Sequence, residues 1–260
     1  MGSLTCKPLA KGEEKRLEDY LLPKPYLHAF TLHDLRRERD KTVFYACYRG
    51  GRVAGYSLVY RRPREPASVI VDGEGEDVVE ELFRALRVNE SLPRATFHLD
   101  SRYEGILRRY YTPLTVYKAY TMYATRWSLR KPPLAPGWEF VEIKNPGEGE
   151  AGEYVAERAK YLKRAYGILL EGKLVAFGGL YVEEPEVAMV GSVWVEPGYR
   201  GRGLGKAVTW HVTREALRRS RYACLWVRTD NQPAIRAYRS IGYVVVREES
   251  WVNVGVDVAP

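Results

Sequence analysis

The feature that most constrains this chain is that its two halves carry the same segments in the same order. "RGGRVAGYSLVY" (49–60) lies against "LEGKLVAFGGLY" (170–181), and both read strand, glycine turn, strand. "SVIVD" (68–72) matches "SVWVE" (192–196), and "RATFHLD" (94–100) matches "YACLWVR" (222–228). "ILRRYY" (106–111) matches "AIRAYR" (234–239). A fixed order repeated once indicates an internal duplication. Each half reads hairpin, strand, amphipathic helix, strand, short helix, strand. The expected class is α+β, with two domains that each hold a mixed, mostly antiparallel sheet flanked by helices.

The proline-rich "LRKPPLAPG" (129–137) cannot continue a helix or a central strand and reads as a linker. It sets expected domains at 1–128 and 138–260. At the front, "EEKRLEDYLL" and "LHAFTLHDLRRE" read as two helices broken apart by Pro23 and Pro25. After residue 203, Leu204, Ala207, Val208, His211, Val212 and Leu217 share one helical face, with Lys206, Arg214, Arg218 and Arg221 mostly elsewhere. A shorter helix follows, with Pro233 suited to its first turn and Gly242 to its end.

The composition, 45% hydrophobic and 28% charged, is that of a globular chain. No apolar run approaches the ~18 residues of a membrane span, and the N-terminus lacks the apolar stretch of a secretory signal. Cys6, Cys47 and Cys224 are odd in number and far apart, which argues against a disulfide framework or a zinc site and for a reducing cytoplasm. A single glutamine and abundant charge lean towards a thermophilic source. The net charge of +8 suits an anionic ligand. The arginines are spread along the chain without a zinc-finger or RNP-type signature, so nucleic acid is not the favoured partner.

The stretch "VWVEPGYRGRGLGKA" (193–207) places a strand end, a glycine-rich loop and a helix start in succession. The first N–H groups of a helix lack internal partners and sit at its positive end. Glycines allow close approach, and Arg200 and Arg202 add charge, so the loop suits a pyrophosphate. The phosphate loop that ends in Gly-Lys-Ser/Thr does not fit, because Ala207 follows Lys206 and position 200 is arginine. The dinucleotide fingerprint fails at Lys206.

What fits is R-x-x-G-x-G after a "V-x-P-x-Y" strand end. It resembles the acyl-CoA loop of the GNAT superfamily of N-acetyltransferases. "NQPAIRAYRSIGY" (231–243) is similar to that family's N-x-x-A-x-x-x-Y-x-x-x-G-F/Y signature, at the family's spacing from the loop. The resemblance covers residues 138–255 well and the first half only as a degenerate copy. It implies acetyl-CoA as co-substrate, without a metal. Arg200, Gly201, Arg202, Gly203, Leu204 and Gly205 would hold the pyrophosphate. Val193 and Val195 would splay from the neighbouring strand and take the pantetheine arm. Asn231 would contact that arm or, equally, cap a helix. Tyr238 would protonate the departing thiolate.

The implied reaction is direct attack of a primary amine on the thioester in a ternary complex. A small-molecule acceptor is slightly preferred over a peptide or protein. No general base is evident. Glu183, Glu184 and Glu186 read as a solvated turn, Glu196 lies too near the loop, and Ser192 or a water remains open. A CoA-binding sensor without turnover is the alternative. The four histidines have no metal-ligand spacing, and His211 reads as a core residue.

In the first half the loop is replaced by "DGEGEDVVEE" (72–81), whose carboxylates would repel a pyrophosphate. This half reads as a copy that binds no CoA and walls the acceptor cleft. Tyr103, Tyr110, Tyr111, Tyr117, Tyr120 and Tyr123 either line a pocket or, more simply, fill sheet and core.

Overall fold

A computed structural model describes residues 3–63, 65–144, 157–158 and 161–255. In chain order the first half holds β1 Leu4–Pro8, α1 Glu14–Leu21, α2 Ala29–Arg37, β2 Thr42–Arg49, β3 Arg52–Tyr60, β4 Ala67–Gly73, α3 Glu76–Asn89, β5 Arg94–Asp100, α4 Glu104–Tyr110 and β6 Pro113–Ala124. The second holds β7 Glu139–Ile143, β8 Arg164–Leu170, β9 Lys173–Glu183, β10 Val187–Val195, α5 Leu204–Ala216, β11 Tyr222–Arg228, α6 Gln232–Ser240 and β12 Val244–Gly255. The duplicated series read from the sequence is therefore present element by element, in the expected α+β class. No helix among the described residues is long and apolar enough to cross a membrane.

Two compact units result, and their borders do not fall at the chain midpoint. One comprises Met1–Lys24, Thr31–Tyr120 and Arg247–Pro260; the other comprises Pro25–Phe30 and Thr121–Val246. The proline-rich segment 129–137 lies within the second. There the Arg130 N–H donates to the Ile241 carbonyl at 3.0 Å.

In the first unit β1, β2, β3 and β4 are successive antiparallel neighbours. β5 runs parallel to β4, and the final strand pairs antiparallel with β5 from Glu249 to Gly255. α3 covers this sheet because Val78, Val79, Leu82, Phe83 and Leu86 recur at helical spacing, and all five are fully buried. Each contributes roughly 1.5–3 kcal/mol relative to exposure. Arg247, the first residue of the last strand in this unit, donates to Asp72 and, at 2.8 Å, to Glu249; Tyr20 also donates to Asp72, at 2.7 Å. The charges are buried but matched, which is the condition for their tolerance.

One expectation fails here. Cys6 and Cys47 are joined by a disulfide, with Cα atoms 4.0 Å apart. They are 41 residues apart in sequence, yet the β1–β2 register places them directly opposite each other. Spacing along the chain concealed a cross-strand pair, and the odd count arose because the buried Cys224 takes no part in a disulfide. The case for a reducing compartment loses its ground.

In the second unit β7, β8, β9 and β10 are antiparallel neighbours, and β10 pairs with β11 in parallel over Val187–Met189. α5 packs on this sheet through Leu204, Ala207, Val208, Val212 and Ala216, all buried.

Candidate active site

The site begins with a strand that is forced to misbehave. At Gly191 a Cβ would lie 2.4 Å from the Tyr181 ring, so glycine is what lets that ring cross β10. The β9–β10 register shifts between Met189 and Val190 and again between Gly191 and Trp194. Within the second shift Ser192 has φ of 51°, a left-handed conformation uncommon for a residue with a side chain. Its hydroxyl is 2.5 Å from the Tyr181 hydroxyl. The parallel pairs with β11 end at Met189, three residues before this irregularity.

Beyond it a cleft of about 760 Å³ is present. Val193, Trp194 and Val195 line it from β10. Arg200, Gly201, Gly203, Leu204, Gly205 and Lys206 line it from the loop and the start of α5. Asn231, Pro233, Ala234, Arg236, Ala237, Tyr238 and Ser240 line it from α6 and the residue before it. The structure thus brings together all but one of the site residues expected from sequence.

The exception is Arg202. Its guanidinium lies 5.1 Å from the centre of the Tyr199 ring and does not line the cleft. A cation held over an aromatic face is satisfied there, so only Arg200 of the pair faces the cleft. Arg200 is itself tied back to the strand, with Nε donating to the Val195 carbonyl at 3.2 Å. Gly203 precedes the helix at φ of 85°, which glycine adopts without penalty. The first N–H groups of α5 have no intrahelical partner and open at the cleft.

Asn231 caps α6, its Oδ1 accepting from the Ala234 N–H at 3.2 Å. The capping alternative is therefore realised, and the residue lines the cleft as well. Tyr238 is buried, and burial pushes its phenol up to about 12. It carries its proton at neutral pH. α6 is held in place by Gly242, at φ of 102°, where a Cβ would lie 1.8 Å from the Ser128 carbonyl oxygen.

The candidate bases divide clearly. Glu183 accepts from Arg164 at 2.9 Å and lies 3.6 Å from Arg219. Glu183, Glu184 and Glu186 flank the turn before β10, and none lines the cleft. At ~3.3 Å per residue, Glu186 is roughly 20 Å along the strand from Val193. Glu196 is also absent from the lining. No carboxylate among the described residues lines the cleft; Ser192 precedes the lining residue Val193, and Glu196 follows the lining residue Val195. His211 is a core residue on α5, stacked on Phe140 at 4.6 Å. Burial, then Arg214, pushes its imidazole down to about 4. Among the described residues no three metal-ligating side chains gather.

Sequence reasoning missed Lys206 and Arg236, both lining residues. A periodic signal was present for the second: Pro233, Arg236, Ala237 and Ser240 fall at i, i+3, i+4 and i+7 of one helix face. Of the six tyrosines of the first half, Tyr103, Tyr110 and Tyr111 pack in one hydrophobic core rather than along a cleft. Tyr103 and Tyr111 are core residues, and Tyr123 stacks on Tyr26 with ring centres 4.2 Å apart.

Residues 126–243 match the profile of the Acetyltransferase (GNAT) family. An uncharacterised N-acetyltransferase of Methanocaldococcus jannaschii is 36% identical over 63 residues, 24% of this chain and 28% of that protein. Among solved structures, a Drosophila protein superposes with a TM-score of 0.70 at 18% identity, over 96% of this chain and 98% of that one. A GCN5-related N-acetyltransferase from Sphaerobacter thermophilus gives 0.59 at 17% identity, over 98% of each chain. A tandem GNAT protein from the clavulanic acid biosynthesis pathway gives 0.56 at 16% identity, over 96% of this chain and 97% of that one. At these identities the structural likeness establishes the fold.

Proposed function

We propose, from the match of residues 126–243 to the Acetyltransferase (GNAT) family, that the chain moves an acetyl group from acetyl-CoA to a primary amine, with a small-molecule acceptor preferred over a peptide. The observation that carries this reading is the composition of one cleft. It joins a parted strand end, a glycine loop at a helix N-terminus and a buried protonated tyrosine.

The residues fit acetyl-CoA. The glycine loop leaves room, since nothing lies within 4 Å of a Cβ at Gly201. Arg200, Lys206 and Arg236 bring positive charge, and none forms an ion pair among the described residues. The α5 N–H groups and Arg200 would hold the pyrophosphate. Val193 and Val195 would hold the arm through backbone groups and polarise the carbonyl. Acetyl-CoA supplies the activated acetyl group as a thioester. Tyr238 would donate its proton to the departing sulfur. On the amine side, the Ser192–Tyr181 hydroxyl pair adjoins Val193 in the chain and would accept the N–H hydrogen bond of the attacking amine, passing its proton on to water.

The protein incubated with acetyl-CoA and pooled amino acids, polyamines, aminoglycosides and short peptides is expected to acetylate a small amine, read by mass spectrometry together with release of the CoA thiol. An acetylated peptide alone would replace the small-molecule acceptor. A second reading, a CoA-binding sensor without turnover, draws on the lack of a carboxylate in the cleft lining among the described residues. It predicts acetyl-CoA binding with no acetylated product in any pool.

A further inference from the structure

A second cavity, about 510 Å³, lies within the same unit at the other end of α5. α5 has 13 residues, so at ~1.5 Å per residue the two sites are roughly 20 Å apart. Arg126 and Trp127 line this cavity from the turn after β6. Arg218, Arg219, Arg221 and Tyr222 line it from the segment after α5. The arginines come from segments some ninety positions apart, which is why they read as dispersed along the chain.

Two properties set this cavity apart from ordinary basic surface. First, its positive charge is incompletely matched. Arg218 pairs with Glu215 at 2.9 Å and Arg219 approaches Glu183 at 3.6 Å. Arg126 and Arg221 form no ion pair among the described residues, and Arg221 lies over the Tyr222 ring at 5.2 Å. Second, Trp127 is 89% exposed, the most exposed large hydrophobic residue described. It is exposed on a rigid mount. The Thr125 N–H donates to Ser128 Oγ at 2.9 Å, the Ser128 N–H to Thr125 Oγ1 at 3.2 Å, and the Leu129 N–H to the Thr125 carbonyl at 3.0 Å. The turn is anchored below by the Ser128 carbonyl packed against Gly242. An indole carried on this hydrogen-bonded turn and exposed to water offers a flat face beside unmatched guanidinium groups.

We propose that this cavity binds a nucleotide unit, with its base stacked on Trp127 and its phosphate held by Arg126 and Arg221. Arginine pairs with phosphate through a planar fork of donors, and a base of any identity can stack on an aromatic face. A cavity of this size is within the range of small-ligand sites. The unit comes either from a free mononucleotide or from a single strand, and the two share this chemistry.

The test is fluorescence anisotropy of a labelled single-stranded RNA octamer at about 50 mM salt, with the full chain. Trp127→Ala is expected to weaken binding about tenfold, since a stacked base contributes ~1–3 kcal/mol. Trp127 is exposed, so its loss leaves the fold intact. The double variant Arg126→Ala/Arg221→Ala is expected to weaken binding about tenfold and flatten the log–log salt slope by about 1.4. Arg200→Ala and Arg236→Ala, in the acetyl-CoA cleft, are expected to leave affinity unchanged. Displacement by AMP identifies a free nucleotide as sufficient; displacement only by unlabelled strand identifies a strand. No binding, or Trp127→Ala binding like the parent, overturns the proposal. It is also overturned if the cleft variants lose as much affinity as the Arg126/Arg221 pair, because the strand then sits in the cleft.

Discussion

The two units meet the same junction, a parallel strand pair leading into a helix, and resolve it in opposite ways. In the first, β4 and β5 stay paired through five partners, from Ala67 with Ala95 to Val71 with Leu99. In the second, β10 and β11 hold only three. The first junction is then sealed from within. The Tyr103 hydroxyl donates to the Gly73 carbonyl at 3.0 Å. A Cβ at Gly55 would lie 2.5 Å from the Val78 side chain, so the strand packs directly on α3. Three of its carboxylates are matched: Asp72 by Arg247, Glu74 by Arg52 and Asp77 by Arg49. In the second junction Arg200, Lys206 and Arg236 face an open cleft with no ion-pair partner among the described residues. One copy of the ladder is largely matched within its own unit; the other leaves its backbone and its charge open at a cleft.

The largest expected effect breaks the open junction. Gly203→Val forces a β-branched residue to φ of 85° and puts a side chain at the loop. Acetyl-CoA affinity, measured by titration calorimetry, is expected to fall about 100-fold or more. The corresponding residue before α3, Gly75, is extended at φ of −166°, a backbone conformation Ser adopts readily, and its Cβ would displace only the exposed Asp77 carboxylate, 3.0 Å away. Gly75→Ser is expected to leave that affinity alone, and an equal loss in both would erase the distinction between the junctions.

Next come the two tyrosines at matching positions. Tyr238→Phe is expected to lower kcat about 100-fold with acetyl-CoA affinity retained, the scale of a lost general acid. Tyr110 donates instead to Glu80 at 3.1 Å and stacks on Phe83, so Tyr110→Phe is expected to leave kcat unchanged. A loss of acetyl-CoA affinity in Tyr238→Phe would make that residue a binding rather than a proton-donating group.

A smaller effect sharpens the account of the amine side. Ser192→Ala and Tyr181→Phe each remove one hydroxyl of the 2.5 Å pair. Each is expected to lower kcat about tenfold, near the ~1.4 kcal/mol of one hydrogen bond, with no change in acetyl-CoA affinity. If both variants turn over like the parent, the amine loses its proton directly to solvent.

How much of this was legible in the sequence follows from the range of the forces involved. The duplication, the strand–loop–helix order and the α6 face were readable, because glycine, proline and helical periodicity act within a few residues. The Cys6–Cys47 bond was not, since it depends on strand register across 41 residues. The same holds for the orientation of Arg202, which is set by the nearby Tyr199 ring rather than by the glycine pattern. The Ser192 conformation was equally hidden. It follows from the Tyr181 ring crossing at Gly191, a contact between two strands.

The smallest effect compares one histidine from each unit. Burial pushes His98, on β5 of the first unit, down to about 4. Burial, with Arg214 adding to it, pushes His211 on α5 down to about 4. The sign follows from proton counts. Above about pH 6.5 both rings are neutral folded or unfolded, so their contribution is fully present. As pH falls from there towards 4, the unfolded chain takes up protons that the folded chain refuses, and stability declines. Below about 4 the folded rings protonate too and the decline from this source ends. His211→Phe keeps a ring against Phe140 and removes the titration. Its thermal midpoint is expected to fall less than the parent's between pH 6.5 and 4.5, by a few degrees in a scanning calorimeter. A parallel loss in parent and variant would place the acid sensitivity in groups other than His211.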